Sequence, residues 1–173
     1  MSKAALLVVD AQVGLVTGAY KEVRILENIN KAIAKLRKDQ GIVVFIQHCH
    51  SSYEPMMKGN VGWEIHPSLD AKELDFFVEK RASDSFYETT LSDVLESNGV
   101  KRVYVAGLQT EFCVDATCRA ALSKGLAVTL ISDAHTTGDS HLPAATIIEH
   151  HNKILANLAH PTRVITVKAM SDL

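Results

Sequence analysis

The chain has 173 residues, of which 47% are hydrophobic and 22% charged, and its formal net charge is −2. That balance suits one soluble domain, residues 1–173, with a sizeable core. It offers no basic field for phosphate backbones, so a nucleic-acid partner is excluded, and the first apolar run, AALLVV, is too short to cross a membrane and lacks a leader cleavage site.

Taken in order, apolar runs alternate with helical patterns. KAALLVVD (3–10) has no polar alternation, as a strand buried on both faces requires. Ile25, Ile29, Ala32, Ile33 and Leu36 then fall at helical spacing, with Gly41 as a stop. IVVFIQH (42–48) reads as a second strand and DFFVEK (75–80) as a third. Between them, the stretch from His48 to about Asp70 contains Pro55, Gly59, Gly62 and Pro67 and no clear period. A loop of that length in a compact domain is usually functional, and it is expected to cover a site.

Thr90 and Asp93 are placed to cap a short helix carrying Leu91, Val94 and Leu95, closed by Gly99. RVYVAGL (102–108) is the fourth strand, followed by a helix over about 114–124 that Gly125 ends. AVTLIS (127–132) is the fifth strand, a long helix covers about 142–158, and RVITV (163–167) is the sixth strand. Strand and helix in alternation imply an α/β fold: a three-layer, doubly wound, Rossmann-like parallel sheet of six strands. With the order 3-2-1-4-5-6, ligands belong beyond the carboxyl ends of strands 1 and 4, where the order reverses.

Asp10 ends strand 1, Lys80 ends strand 3, and Cys113 follows strand 4 in the stretch GLQTEFCVDA (107–116). Each has an ordinary reading: Asp10 as a turn residue, Lys80 as a solvated strand end, Cys113 as a small buried hydrophobe, a disulfide half or a metal ligand. Together they suit thiol chemistry. A thiol is mostly protonated at neutral pH, a carboxylate can take its proton, and a lysine ammonium with a helix N-terminus can support the thiolate. The cysteines at 49, 113 and 118 form no disulfide framework and no C-x-x-C motif, which points to a reduced, cytoplasmic protein.

Other sites are weaker. Phosphate-cradling glycine motifs are absent. QHCH (47–50) places His48 and His50 on one strand face and Cys49 on the other, a poor arrangement for three metal ligands. His150 and His151 are adjacent on a helix, so their side chains diverge and are expected to pack rather than bind metal.

Along nearly its whole length the chain resembles the isochorismatase-like cysteine hydrolase family. The resemblance lies in LLVVDAQ (6–12), GWEIHP (62–67), EKRASDSFYETTL (79–91), VAGLQTEFCVDATCRAAL (105–122), DAHTT (133–137) and IIEHHN (147–152). It implies the 3-2-1-4-5-6 sheet, an Asp10–Lys80–Cys113 triad, and a non-proline cis peptide at Leu108–Gln109. The backbone N–H groups of Gln109 and Cys113 would then form an oxyanion hole.

Two departures qualify the resemblance. Nicotinamidases of the family carry a D-x-H…H metal set after strand 2, whereas here Gln47 and Cys49 stand at the first two ligand positions, so no metal and no cofactor are expected. The retained cysteine favours acyl transfer through a thioester over the vinyl-ether cleavage of true isochorismatases. The expected substrate is a small-molecule amide or related carbonyl compound. The alternatives are an ether hydrolase and a non-catalytic interaction module. Gln12, Leu15, Trp63, Phe86 and Phe112 are candidate pocket residues, each with a packing reading beside it. Glu64 could receive a substrate amine or cap the loop. The resemblance, with the broad apolar surface of the long helix at Ile147, Ile148, Ile154 and Leu155, implies a homo-oligomer, a dimer or tetramer.

Overall fold

The computed structural model describes residues 3–173. Six parallel strands form one sheet in the order β3-β2-β1-β4-β5-β6. They are β1 (Lys3–Val9), β2 (Ile42–His48), β3 (Phe76–Lys80), β4 (Val100–Leu108), β5 (Ala127–Thr136) and β6 (Thr166–Lys168). The order reverses between β1 and β4, as expected for this fold.

β1 is central, which explains its lack of alternation. Ala5, Leu7 and Val9 face one apolar layer, while Leu6 and Val8 face the other. The first layer is closed by α3 (Leu91–Ser97), α4 (Asp115–Ser123) and α5 (Ala144–Ala156) through Leu91, Leu95, Cys118, Ala121 and Leu155. The second is closed mainly by α2 (Glu22–Lys38), with Ile25, Leu26, Ile29, Ala32, Ile33 and Leu36 inward, together with Val16 of the short α1 (Val13–Val16). Truncating one of these leucines to alanine costs about 2–5 kcal/mol.

Several boundaries differ from the sequence expectation for local reasons. At the end of α2 the left-handed position is taken by Gln40 (φ 58°), not Gly41. The Gln40 N–H donates to Arg37 and the Gly41 N–H to Leu36, which closes the helix as a Schellman turn. Gly41 is instead a close-approach residue, because a Cβ there would meet the Leu36 side chain at 2.7 Å and the Ala4 carbonyl at 2.9 Å. Thr90 precedes α3 but makes no capping bond; the Thr89 hydroxyl accepts from the Leu91 N–H at 3.3 Å.

β5 continues four residues past Ser132, through an irregularity that pairs Gly107 with His135 and Leu108 with Thr136. The polar stretch SDAHTT reads as a turn, yet it extends the sheet beside the end of β4. Along α5, Ile147 and Leu155 are buried and Ile154 packs on the first layer. Most of that helix's apolar surface is therefore used within the chain.

Candidate active site

Three strand ends build the site. Asp10 follows β1 and turns the chain into the left-handed region, with φ 48°. Aspartate enters that region more readily than most residues, and the Asp10 N–H is held by the Ile46 carbonyl at 2.9 Å. Lys80 is the last residue of β3, and the parallel register sets it directly opposite His48 of β2. Cys113 lies in a π-type turn, Thr110–Val114, that leads from β4 into α4.

Gly107 lets the first and third of these meet. Its φ is +119°, and a Cβ at this position would collide with the Val9 carbonyl oxygen. Only glycine permits the ends of β1 and β4 to approach so closely. The Leu108–Gln109 peptide that follows is cis. The Gln109 carbonyl accepts from the N–H groups of Phe112 and Val114, each at 3.1 Å, which flank that of Cys113.

The Lys80 ammonium is the hub. Its Nζ lies 2.8 Å from Asp10 Oδ2, 3.0 Å from Cys113 Sγ, 3.1 Å from His48 Nδ1 and 3.0 Å from the Ala82 carbonyl. Four acceptors surround a group with three protons. Asp10 is fully buried, and neither of its oxygens receives a well-directed hydrogen bond; the approach of Lys80 to Oδ2 is an ion pair without hydrogen-bond alignment.

Burial raises the Asp10 pKa above the ordinary carboxylate value, against the opposing pull of Lys80. Burial also pushes the Cys113 thiol up to about 12; the negative charge of Asp10 adds to this and Lys80 opposes it. That upward shift favours a protonated Cys113 thiol at rest. His48 is displaced downward by burial and then by Lys80, which favours a neutral ring.

Asp10, His48 and Cys113 bring one potential metal-ligand atom each to within 4.8 Å of one another. The Lys80 ammonium touches all three side chains. Gln47 turns its amide to the Trp63 carbonyl at 3.1 Å, and His50 Nδ1 accepts from the N–H groups of Ser52 and Tyr53. Neither is part of the cluster.

A cleft of about 410 Å³ reaches Lys80 between Cys49, Lys58, Glu79, Arg81 and Glu88, and a neighbouring lobe of about 480 Å³ reaches His48. A cavity of about 670 Å³ between α2 and the C-terminal turn contains none of the expected residues.

The candidate pocket residues separate. Gln12 is fully buried and joins the end of β2 to the long loop. Its Oε1 accepts from the His48 N–H (2.9 Å), and its Nε2 donates to the carbonyls of Trp63 (2.7 Å) and His48 (3.2 Å). Both ends of the amide are thus committed to backbone, not offered to a substrate. Leu15 packs on the second layer, and Phe86 is buried in the first. Trp63 donates its indole N–H to Cys49 Sγ at 3.2 Å, beside the cleft. Phe112, on the cysteine turn, is exposed. Glu64 contributes its carbonyl to Val13, which helps pin the long loop onto α1.

The sequence reading missed a buried polar chain behind the cysteine turn. Asn152 Nδ2 donates to the Ser132 carbonyl (3.2 Å), which leaves its Oδ1 to accept from His135 Nε2 (3.0 Å). His135 Nδ1 then accepts from the Thr110 hydroxyl at 2.8 Å. DAHTT and IIEHHN carried the signal as matched motifs, but nothing in their spacing tied them to Thr110. His151 donates Nδ1–H to the Ile147 carbonyl, and its ring meets that of His150 edge-on.

The isochorismatase domain profile matches residues 4–168. A streptothricin hydrolase of Streptomyces noursei is 35% identical over 144 residues, covering 82% of this chain and 51% of that protein. The chain thus spans about half the length of that relative. Nicotinamidase 3 of Arabidopsis thaliana is 31% identical over 159 residues, with 84% of this chain and 79% of that protein covered. A crystal structure of an isochorismatase family protein superposes with a TM-score of 0.85 at 34% identity, covering 96% of this chain and 98% of that one.

Proposed function

Because this chain belongs to the isochorismatase family, we propose that it is a cysteine hydrolase of small-molecule amides or related carbonyl compounds, with Asp10 as base, Cys113 as nucleophile and Lys80 as the cation that serves both. One observation carries the reading: a buried lysine ammonium lies 2.8 Å from a carboxylate and 3.0 Å from a thiol, on a strand end that borders a cleft. Two relatives named for hydrolysis of small molecules, streptothricin hydrolase and nicotinamidase, support the substrate class.

With the thiol near 12 and Asp10 raised, full transfer of the proton before attack is unfavourable. The proton therefore passes to Asp10 as the sulfur–carbon bond forms, and the negative charge moves to the carbonyl oxygen. The backbone N–H groups of Gln109 and Cys113 receive that oxyanion. Asp10 next protonates the leaving nitrogen, the carbon–nitrogen bond breaks, and a thioester remains. Water, deprotonated by Asp10, hydrolyses it, and the proton returns to the thiol. Throughout, Lys80 neutralises whichever of Asp10 and Cys113 carries charge. The free thiols are consistent with a reducing compartment, and among the described residues no helix is long and apolar enough to cross a membrane.

The test is a screen of small primary amides, ureas and lactams for ammonia or amine release, repeated with Cys113→Ala. Release that disappears in the variant supports the reading. Hydrolysis of a vinyl ether that survives Cys113→Ala would instead establish the ether-hydrolase alternative.

A further inference from the structure

His48 differs from the rest of the buried cluster in its exposure. Asp10, Lys80 and Cys113 are buried, whereas His48 is half-buried and lines the 480 Å³ lobe. Its position is fixed three times over. The Gln12 amide brackets its backbone, accepting from its N–H and donating to its carbonyl. The N–H of the next residue, Cys49, is held by the Lys80 carbonyl at 2.8 Å. The ring itself is held by Lys80 Nζ at 3.1 Å.

That last contact fixes the tautomer. An ammonium can only donate, so His48 Nδ1 must accept, and the neutral ring carries its proton on Nε2. The ring is kept neutral because burial and the adjacent Lys80 charge both disfavour the imidazolium. Nε2 lies across the ring from the lysine and has no hydrogen-bond partner among the described residues. A ring nitrogen of His48 lies within 4.8 Å of Cys113 Sγ. That distance places the imidazole beside the position a carbon under attack would take.

We propose that His48 is a substrate-binding residue whose fixed Nε2–H selects amides bearing a second hydrogen-bond acceptor close to the reacting carbon. The inference rests on the cysteine-hydrolase reading and deepens it. A substrate without that acceptor leaves a partly desolvated donor unpaired, and such unpaired donors are what give polar sites their discrimination. The pinned strand end supplies preorganisation: donor and nucleophile are held by the same lysine, so little order remains to be imposed on binding.

The experiment compares two thiol reagents at Cys113 of the intact chain, followed on the Cys113 peptide by mass spectrometry. Iodoacetamide carries a carbonyl acceptor one bond from the reacting carbon; iodoethane loses the same leaving group from a carbon with no acceptor beside it. His48→Asn retains an acceptor for Lys80 but removes the distal donor, and His48→Gln restores an N–H near the position of Nε2. The expected result is an iodoacetamide rate about fivefold lower in His48→Asn and largely recovered in His48→Gln, with iodoethane rates within about twofold throughout. In the unaltered protein, the iodoacetamide-to-iodoethane ratio should exceed that of free glutathione, which requires no variant to fold. Equal slowing of both reagents in His48→Asn would show that His48 acts on the thiol through Lys80, and would overturn the proposal. So would unchanged rates, or a ratio no greater than that of glutathione. Resistance of unaltered Cys113 to both reagents would reject the nucleophile itself, and this inference with it.

Discussion

On one side of the cysteine turn, Lys80 shares three protons among four acceptors, and the buried oxygens of Asp10 receive no well-directed hydrogen bond. On the other side, the Ser132 carbonyl, Asn152, His135 and Thr110 form a chain in which each participating polar atom has one partner. Both clusters are largely buried, and both border the segment that carries Cys113. The first is charged and under-satisfied, and it opens to a cleft. The second is neutral and satisfied, and it holds the turn in place. Under-satisfied charge costs stability but leaves groups free to exchange a proton, whereas a satisfied neutral network specifies one geometry.

The contrast breaks most visibly under substitution at Asp10. Asn keeps the shape of the side chain but cannot accept the thiol proton, so turnover should fall about 100- to 10,000-fold. Lys80→Ala should lose a comparable amount, and the double variant should be little worse than either single one, because the groups act as a unit. Turnover on any amide found by the screen, read beside circular dichroism, checks both claims. Fully multiplicative losses in the double variant would show that the two residues serve separate roles.

His135 should respond in the opposite way. His135→Leu leaves the Thr110 hydroxyl and the Asn152 carbonyl oxygen buried without partners, at a cost of about 2–4 kcal/mol of stability. Turnover per folded molecule should change by less than about tenfold. Urea unfolding and active-site-normalised rates separate the two quantities. A stable variant with collapsed turnover would place His135 among the catalytic groups.

Acid sharpens the comparison because Asp10 and His135 titrate with opposite sign. Burial lowers the His135 pKa to about 4 from 6.5. Between those values the unfolded chain binds the extra proton, so His135 contributes stability above pH 6.5 that is lost as the pH falls towards 4. The size is about 3 kcal/mol. Asp10 is raised, so the folded chain keeps its proton longer, and Asp10 withdraws stability as the pH rises above the ordinary carboxylate value. His135→Gln should flatten the acid loss of melting temperature, and Asp10→Asn should steepen it. Identical slopes in all three proteins would refute both assignments.

The same contrast governs what the sequence could reveal. The strand-end positions of Asp10 and Lys80 and the placement of Cys113 after β4 followed from hydrophobic patterning, because each depends on local runs and their sequence of alternation, whereas the strand order came from the family resemblance. Gln12 was legible only as a pocket candidate past a strand; its two hydrogen bonds to the His48 backbone depend on a contact 36 residues away. His135 was missed because the end of β5 is irregular, and polar SDAHTT does not read as a strand. The role of Gly107 is likewise invisible locally, since the atom that forbids a side chain there belongs to Val9 of another strand.

The smallest expected effect belongs to the end of the satisfied chain. Thr110→Val keeps the volume of the side chain and removes the hydroxyl that donates to His135 Nδ1 at 2.8 Å. The Asn152 end of the chain remains, so His135 keeps its Nε2 bond and its tautomer. The loss is one neutral hydrogen bond with one acceptor left unpaired, about 1 kcal/mol, which lowers the melting temperature by roughly 2–4 °C for a chain of this size. Thr110→Ser retains the donor and should restore most of that shift. Because the turn bonds of Phe112 and Val114 to Gln109 do not involve the hydroxyl, turnover should change by only about twofold to fivefold. Calorimetry and initial rates on the two variants decide it. A Thr110→Val protein with an unchanged melting temperature and a hundredfold slower reaction would mean that the neutral chain belongs to the reaction as directly as Lys80 does, and the division between the two clusters would fail.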